Sequence, residues 1–199
     1  AIFLFSQSKN GVAAKELQRY LGVTYKTAWR MARAIRGLMK EQVRLGGIVE
    51  ADEIYLGGRY YGGKRGPGSE NKTPIFGMVE RGGRVQAKVT KIRTKKILPI
   101  IKRTVARDAF MMTDEHRIYC NLPKIGDKWD SVVHLKKEYV RGNVHTNTIE
   151  GFWSHLKRSI RGTYVSVSPK HLQRYVDEFV WRYNRRNSSS VFEELLARI

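Results

Sequence analysis

Residues 46–57 read "GIVEADEIYLGG", and the fold turns on this stretch. Ile48, Val49, Ile54, Tyr55 and Leu56 are β-formers, and glycines close both ends, so the segment predicts a strand. Three acids interrupt it: Glu50, Asp52 and Glu53. Burying a carboxylate is costly unless a cation or hydrogen-bond donors offset the loss of water. Strand alternation assigns Glu50 and Asp52 to one face and Glu53 to the other. A bound metal ion would explain acids in so apolar a strand.

Downstream, "TPIFGMVER" and "RVQAKVTKI" form two strand-like runs around a Gly-Gly turn, the pattern of a hairpin. Residues 57–72, rich in Gly, Lys and Arg, read as a loop whose backbone could approach phosphates. "KKILPIIKRTV" predicts a helix with Pro99 near its start. "AFMMTDEH" predicts a short buried strand ending in acids, and "SVVHLKKEYV" a further strand. Two helices follow. The first carries Ile149, Phe152, Leu156 and Ile160 on one face. The second opens with Ser168 as cap and Pro169 at the first position, and carries Leu172, Tyr175, Phe179 and Tyr183. The order predicts an α/β core.

Upstream, residues 12–39 predict two helices joined by a tight turn, with Gly22 ending the first and Thr24 capping the second. Ala28, Met31, Ala32 and Ile35 recur at helical spacing, and Tyr25, Lys26, Thr27, Arg30 and Arg33 project from the other positions. This is a helix-turn-helix pattern with a basic second helix. A plain helical hairpin would share the spacing, but not the charge. Lys and Arg outnumber Asp and Glu 38 to 18, giving a net charge of +20 over 199 residues. A folded domain this basic meets a polyanion, most often nucleic acid. The single cysteine, Cys120, rules out an internal disulfide and a cysteine-based zinc site. The opening "AIFLF" is too short for a signal peptide or membrane span, and its immediate apolar start suggests a fragment of a longer protein. A cytoplasmic, nucleoid-associated location is expected, with no membrane partner.

Three carboxylates gain meaning together: Asp52 in the first core strand, Asp114 at the end of the fourth, and Glu150 on the penultimate helix. On that helix Asn147, Glu150, Ser154 and Lys157 share a face opposite the apolar stripe. Oxygen donors from separate elements select Mg²⁺ or Mn²⁺, and such sets hold two ions about 4 Å apart in phosphoryl-transfer sites. No protein nucleophile is then needed. The rows Lys157, Arg158 and Arg161 would face a phosphate backbone. Taken singly, each acid reads more readily as an ordinary residue: Asp52 and Asp114 as solvated or capping groups, Glu150 as a salt-bridging one.

The stretches "VEADEIYLGG" (49–58) and "HTNTIEGFWSHLKRSIRGTYVSVSPKHLQRYVDEFVWRYNRR" (145–186), with "TYKTAWRM" (24–31), resemble the DDE transposases of bacterial insertion sequences, in their ISXO-type group. The resemblance covers nearly the whole chain. It implies a ribonuclease H-like mixed sheet flanked by helices and preceded by a helix-turn-helix module, with a division into 1–45 and 46–199. It also implies that Asp52, Asp114 and Glu150 are the catalytic metal ligands, two Mg²⁺ or Mn²⁺ ions per site, and that Lys157 contacts substrate phosphate. Some relatives use an asparagine for the last acid, which makes Asn147 the second choice. The implied activity is binding of double-stranded DNA at element ends, cleavage, and transfer of the freed strand to target DNA, by a dimer or larger assembly. Relatives usually carry a zinc ribbon before the helix-turn-helix; its cysteines are absent here. The rivals are a non-catalytic DNA-binding protein (a regulator or a decayed transposase) and another ribonuclease H-like nuclease.

Overall fold

A computed structural model of the protein describes residues 1–57, 72–114, 129–132 and 145–199, with backbone alone at 114 and 129–132. Most of the expected Gly-rich loop, and the segment "HLKKEYV", lie outside these residues.

The sheet has five strands: β1 (Ile48–Leu56), β2 (Thr73–Glu80), β3 (Val85–Val89), β4 (Phe110–Asp114) and β5 (Trp129–Val132). Their order is β3-β2-β1-β4-β5. The β1/β2 and β2/β3 pairs are antiparallel, whereas β1/β4 and β4/β5 are parallel. A meander on one side of β1 and parallel strands on the other is the ribonuclease H-like arrangement expected from the resemblance. The hairpin is where the sequence puts it, with Gly82 at φ +72° in the turn. Antiparallel neighbours need only that tight turn, while the parallel β1/β4 pair needs a crossover. Helix α4 (Thr94–Thr104) lies within that crossover.

One face of the sheet is conventional. Val49, Ala51, Phe76, Met78 and Met111 join Ile97 and Ile101 of α4 in a buried apolar cluster. Pro99 departs from expectation. The helix starts at Thr94, so Pro99 stands in its middle and not near its start. A mid-helix proline removes one backbone bond, and the burial of Ile97 and Ile101 on either side holds the helix against that loss. Strand β5 begins at Trp129, two residues before the expected run.

Packing divides the described chain into two compact units, Gln42–Ser154 and Ala1–Glu41 with His155–Ile199. The boundary falls inside α5 (Asn147–Ser159), which continues as a π-helical turn at Ile160–Tyr164. The second unit is all helix: α1 (Ile2–Gln7), α2 (Ala14–Leu21), α3 (Tyr25–Leu38), α6 (Pro169–Asn184) and α7 (Val191–Leu196). The two six-residue helices, α1 and α7, carry too few residues for a periodic signal and were not expected. Gly22 takes φ +63° after α2, and the Thr24 hydroxyl accepts a 3.2 Å hydrogen bond from the Thr27 amide, as the helix-turn-helix pattern predicts. Ser168 occupies the cap position of α6 without making a side-chain cap bond.

The helical unit is built around a buried charge. Glu178 of α6 is fully buried, as is Arg36 of α3 to within 3%. The Glu178 carboxylate accepts three hydrogen bonds: from Arg36 Nε at 2.8 Å, from the Tyr164 hydroxyl at 3.0 Å and from Arg182 Nη2 at 2.6 Å. Burial, and then the charge of Glu178, push the Tyr164 phenol well above its ordinary pKa, so it remains a donor. Gly11, at φ +89°, lies against the Tyr164 hydroxyl where any side chain would collide. Removing one partner of a buried pair costs about 3–5 kcal/mol because the other is left without compensation. Glu178→Ala is therefore expected to lower unfolding stability by about that amount in urea titration, and more than Arg182→Ala does. A loss below about 1 kcal/mol would show that Arg36 finds water or another acceptor.

Candidate active site

The acids of β1 are handled in three different ways. Glu50 is fully buried. Its Oε1 accepts from Arg81 Nε at 2.6 Å and from the Thr148 hydroxyl at 2.8 Å; its Oε2 accepts from the backbone amides of Thr148 at 2.8 Å and Ile149 at 3.1 Å. His145 Nδ1 stands 3.4 Å from Oε1. The two amides belong to the first turn of α5, where N–H groups have no partner inside the helix and the dipole favours an anion. Glu50 thus caps α5 from a neighbouring strand, and Arg81 supplies the balancing charge. Arg81 also donates to the His145 carbonyl at 2.9 Å, tying down the segment that leads into the helix. A metal ion was the sequence-based explanation for burying this acid. The structure gives a different one: protein donors already surround both oxygens.

Asp52, two residues on, faces the same helix but is only partly buried. Its Oδ2 accepts a 3.1 Å hydrogen bond from Trp153 Nε1. Trp153 is a core residue, 2% exposed, yet its indole N–H also orients the candidate ligand. The ring reaches Asp52 because the residue opposite in the β1/β2 register is Gly77. A Cβ there would run into the Trp153 six-membered ring and come to 3.4 Å from Ile149. Glycine in this strand marks a close approach and not flexibility. Glu53 turns away from α5 by alternation. Its charge, after burial, pushes the Tyr55 phenol upward.

Asp114 closes β4. The parallel register pairs Ala51 with Thr113, so Asp52 and Asp114 follow at adjacent positions on neighbouring strands. Such strands run about 4.8 Å apart. Glu150 lies in the first turn of α5, exposed, and accepts a 3.0 Å hydrogen bond from the Thr146 hydroxyl. Asn147 is the first residue of the same helix, also exposed. Lys157 follows two turns later on α5, partly buried. The elements bearing Asp52, Asp114 and Glu150 therefore converge, with α5 pinned to β1 by Glu50. Among residues whose side chains are described, no three of His, Cys, Asp and Glu form an ion site; the Asp114 side chain is outside that set. The donor chemistry fits a hard divalent cation: carboxylates only, from separate elements, with an indole N–H orienting one of them.

In the helical unit, Tyr25, Lys26, Thr27, Arg30 and Arg33 are all exposed along α3. Arg158 is exposed near the end of α5, and Arg161 in the π-helical turn. The sequence gives Glu50 a place only among the acids that a bound metal ion would explain, and gives Arg81, Thr148 and Gly77 no role. Parity was the available signal for Glu50, since it shares a face with Asp52. The donors had none, because they lie 31 and 98 residues away in the chain.

Glu50→Gln keeps the shape but replaces one acceptor oxygen with a donor where four donors converge. It is expected to destabilise the protein by about 3 kcal/mol and to speed hydrogen exchange at the Thr148 and Ile149 amides. Unchanged exchange there would mean that α5 is held by its apolar face alone.

Comparison with known proteins supplies the family. Residues 44–184 match the ISXO2-like transposase domain. An uncharacterised protein in transposable element ISH50 of Halobacterium salinarum is 28% identical, over 90% of this chain and 67% of its own length. An uncharacterised transposase-like protein of Haemophilus influenzae is 23% identical over 54% of this chain and 89% of its own. A chain in a simian T-cell lymphotropic virus intasome bound to the PP2A regulatory subunit B56 gamma covers 85% of this chain and 64% of its own at 13% identity, with a TM-score of 0.44, a likeness too slight to reason from. With 44–184 spanning most of the chain, the protein belongs to the ISXO2-like transposase domain family.

Proposed function

We propose that the protein is a DDE transposase that binds the ends of its element, cuts one phosphodiester at each, and joins the freed 3′-hydroxyl to target DNA. The observation that carries this is the β1/β4 register, which brings Asp52 and Asp114 to adjacent positions beside the anchored start of α5. Asp52, Asp114 and Glu150 are the ligands in this reading, with Asn147 the alternative to Glu150. Bound Mg²⁺ or Mn²⁺, as a pair, would supply Lewis acidity toward the attacking oxygen and the leaving oxygen. The chain's own part is positional. Trp153 fixes the Asp52 carboxylate, Thr146 restrains Glu150, and Glu50 with Arg81 keeps α5 in register with the sheet. Lys157, Arg158 and Arg161 hold the DNA backbone by charge-assisted bonds to phosphate.

Residues 1–45 act as the duplex-binding module and 46–199 as the catalytic domain. Helix α3 enters the major groove, where a helix fits and base edges are distinguishable, with Tyr25, Thr27, Arg30 and Arg33 toward the bases and Lys26 on the phosphate backbone. Joining two ends in one event calls for at least a dimer on DNA. Action on element DNA would locate the protein at the bacterial nucleoid. Among the described residues, no helix is long and apolar enough to cross a membrane.

Two measurements test this. Using the DNA flanking the protein's own gene as candidate ends, Asp114→Asn is expected to cut strand cleavage and joining by roughly a thousandfold while DNA affinity stays within about twofold. Equal loss of both would contradict the assignment, and cleavage unaffected by the change would favour the DNA-binding rival. Lys26→Ala is expected to weaken duplex binding on all sequences alike and to lower the salt slope by about one. A slope left unchanged would remove Lys26 from the phosphate contacts.

A further inference from the structure

We infer that a cleft in the helical unit accepts one nucleotide of a DNA strand, unstacked from its neighbours, next to the duplex that α3 binds. This deepens the duplex-binding reading of α3 and rests on it. The cleft has a volume of about 400 Å³, within the usual range for small-ligand sites. Its walls are aromatic: Tyr25 and Trp29 from α3, Tyr164 from the π-helical turn, and His171 and Tyr175 from α6. They meet edge to face in two pairs, Trp29 with His171 at 5.4 Å and Tyr164 with Tyr175 at 4.7 Å. Aromatic walls suit a nucleobase, because every base has a π-face and stacking is tolerant of sequence.

The charge is that of an anion site. Among the described residues no acid lines the cleft, whereas Lys15 does. Lys15 stands in the first turn of α2, next to Glu16, and the cap residue Ala13 makes no side-chain cap bond. Arg33 lies 5.7 Å from the Trp29 ring centre. Burial, and then the cations of Lys170, Arg33 and Arg174, hold His171 below its ordinary pKa. Hydroxyls for reading a base edge come from Ser166 and from Ser168, the cap serine that makes no cap bond.

The rim of the cleft is strained. Val165 has φ +63° and ψ −57°, a γ-turn geometry that a β-branched residue rarely adopts, and the Ser166 amide donates to the Tyr164 carbonyl across it at 2.6 Å. Val165 is 80% exposed, so no burial of its own side chain compensates. The turn follows a π-helical segment, a feature that recurs at functional sites. Its effect is to send Tyr164 inward to Glu178 and to set Ser166 at the cleft.

The test compares a short blunt duplex with the same duplex bearing a short single-stranded thymidine tail, by fluorescence anisotropy on the full chain. The tail is expected to improve binding about tenfold. Trp29→Ala should abolish the advantage and leave blunt-duplex affinity within about twofold. A tail carrying 5-iododeoxyuridine should crosslink, in the unmutated protein, to Tyr25, Trp29 or Tyr175, a readout that does not depend on a variant folding. No advantage from the tail, or crosslinks confined to other segments, would overturn the proposal. Competition by micromolar thymidine monophosphate would overturn it in favour of a free nucleotide. Tail binding by a protein that ignores blunt duplex would uphold the cleft and refute the duplex-binding role of α3.

Discussion

A fully buried glutamate, Glu50, holds the sheet-bearing unit of this protein together. It sits in the central strand, and its hydrogen-bond donors come from elsewhere: a guanidinium after β2, and a hydroxyl and two amides from the start of α5. An isolated carboxylate in such a place would be prohibitive. Here the same bonds that make it tolerable fix the entry of α5 onto the sheet. A helix packed only by Ile149, Phe152 and Leu156 could slide or rotate by a fraction of a turn. The bonds to Glu50 set its position along β1, and therefore the position of Glu150.

Fixing the helix start also decides what the neighbouring positions must be. The Trp153 ring packs against the strand so closely that it leaves room for glycine alone at position 77. In return its indole N–H reaches Asp52. Glu50 and Asp52 are thus two residues apart on the same face and do different work. The first is saturated with protein donors and serves structure. The second is partly exposed, held by an indole N–H, and stands beside Asp114 in the sheet register. An acid-rich strand need not be a row of ligands.

Much of the fold was legible because it is local. The Gly-Gly hairpin, the Gly22 stop, the Thr24 cap and the apolar stripe of α5 each depend on residues a few positions apart. The misjudged features depend on distant partners or on short elements. Pro99 suggested a helix start, but propensity yielded to the burial of Ile97 and Ile101. α1 and α7 are single short helices that are stable only in the helical unit's core, through Phe5 and Leu195. Of the candidate site, the acids could be found from their order and from the resemblance, whereas Arg81, Thr148 and Gly77 could not. Nothing in "MVERGG" or "TPIFGMV" announces that an arginine will balance Glu50, or that a glycine will admit a tryptophan.

The most direct measurement is anomalous scattering from crystals of the protein soaked in Mn²⁺. The account predicts a peak among Asp52, Asp114 and Glu150, and none at Glu50, whose oxygens remain bonded to Arg81 and to α5. A single weakly held ion would be consistent in the absence of DNA, since substrate phosphate contributes to such sites. Manganese at Glu50, or Asp52 and Glu150 far apart and without an ion at high Mn²⁺, would contradict the division of labour between the two acids.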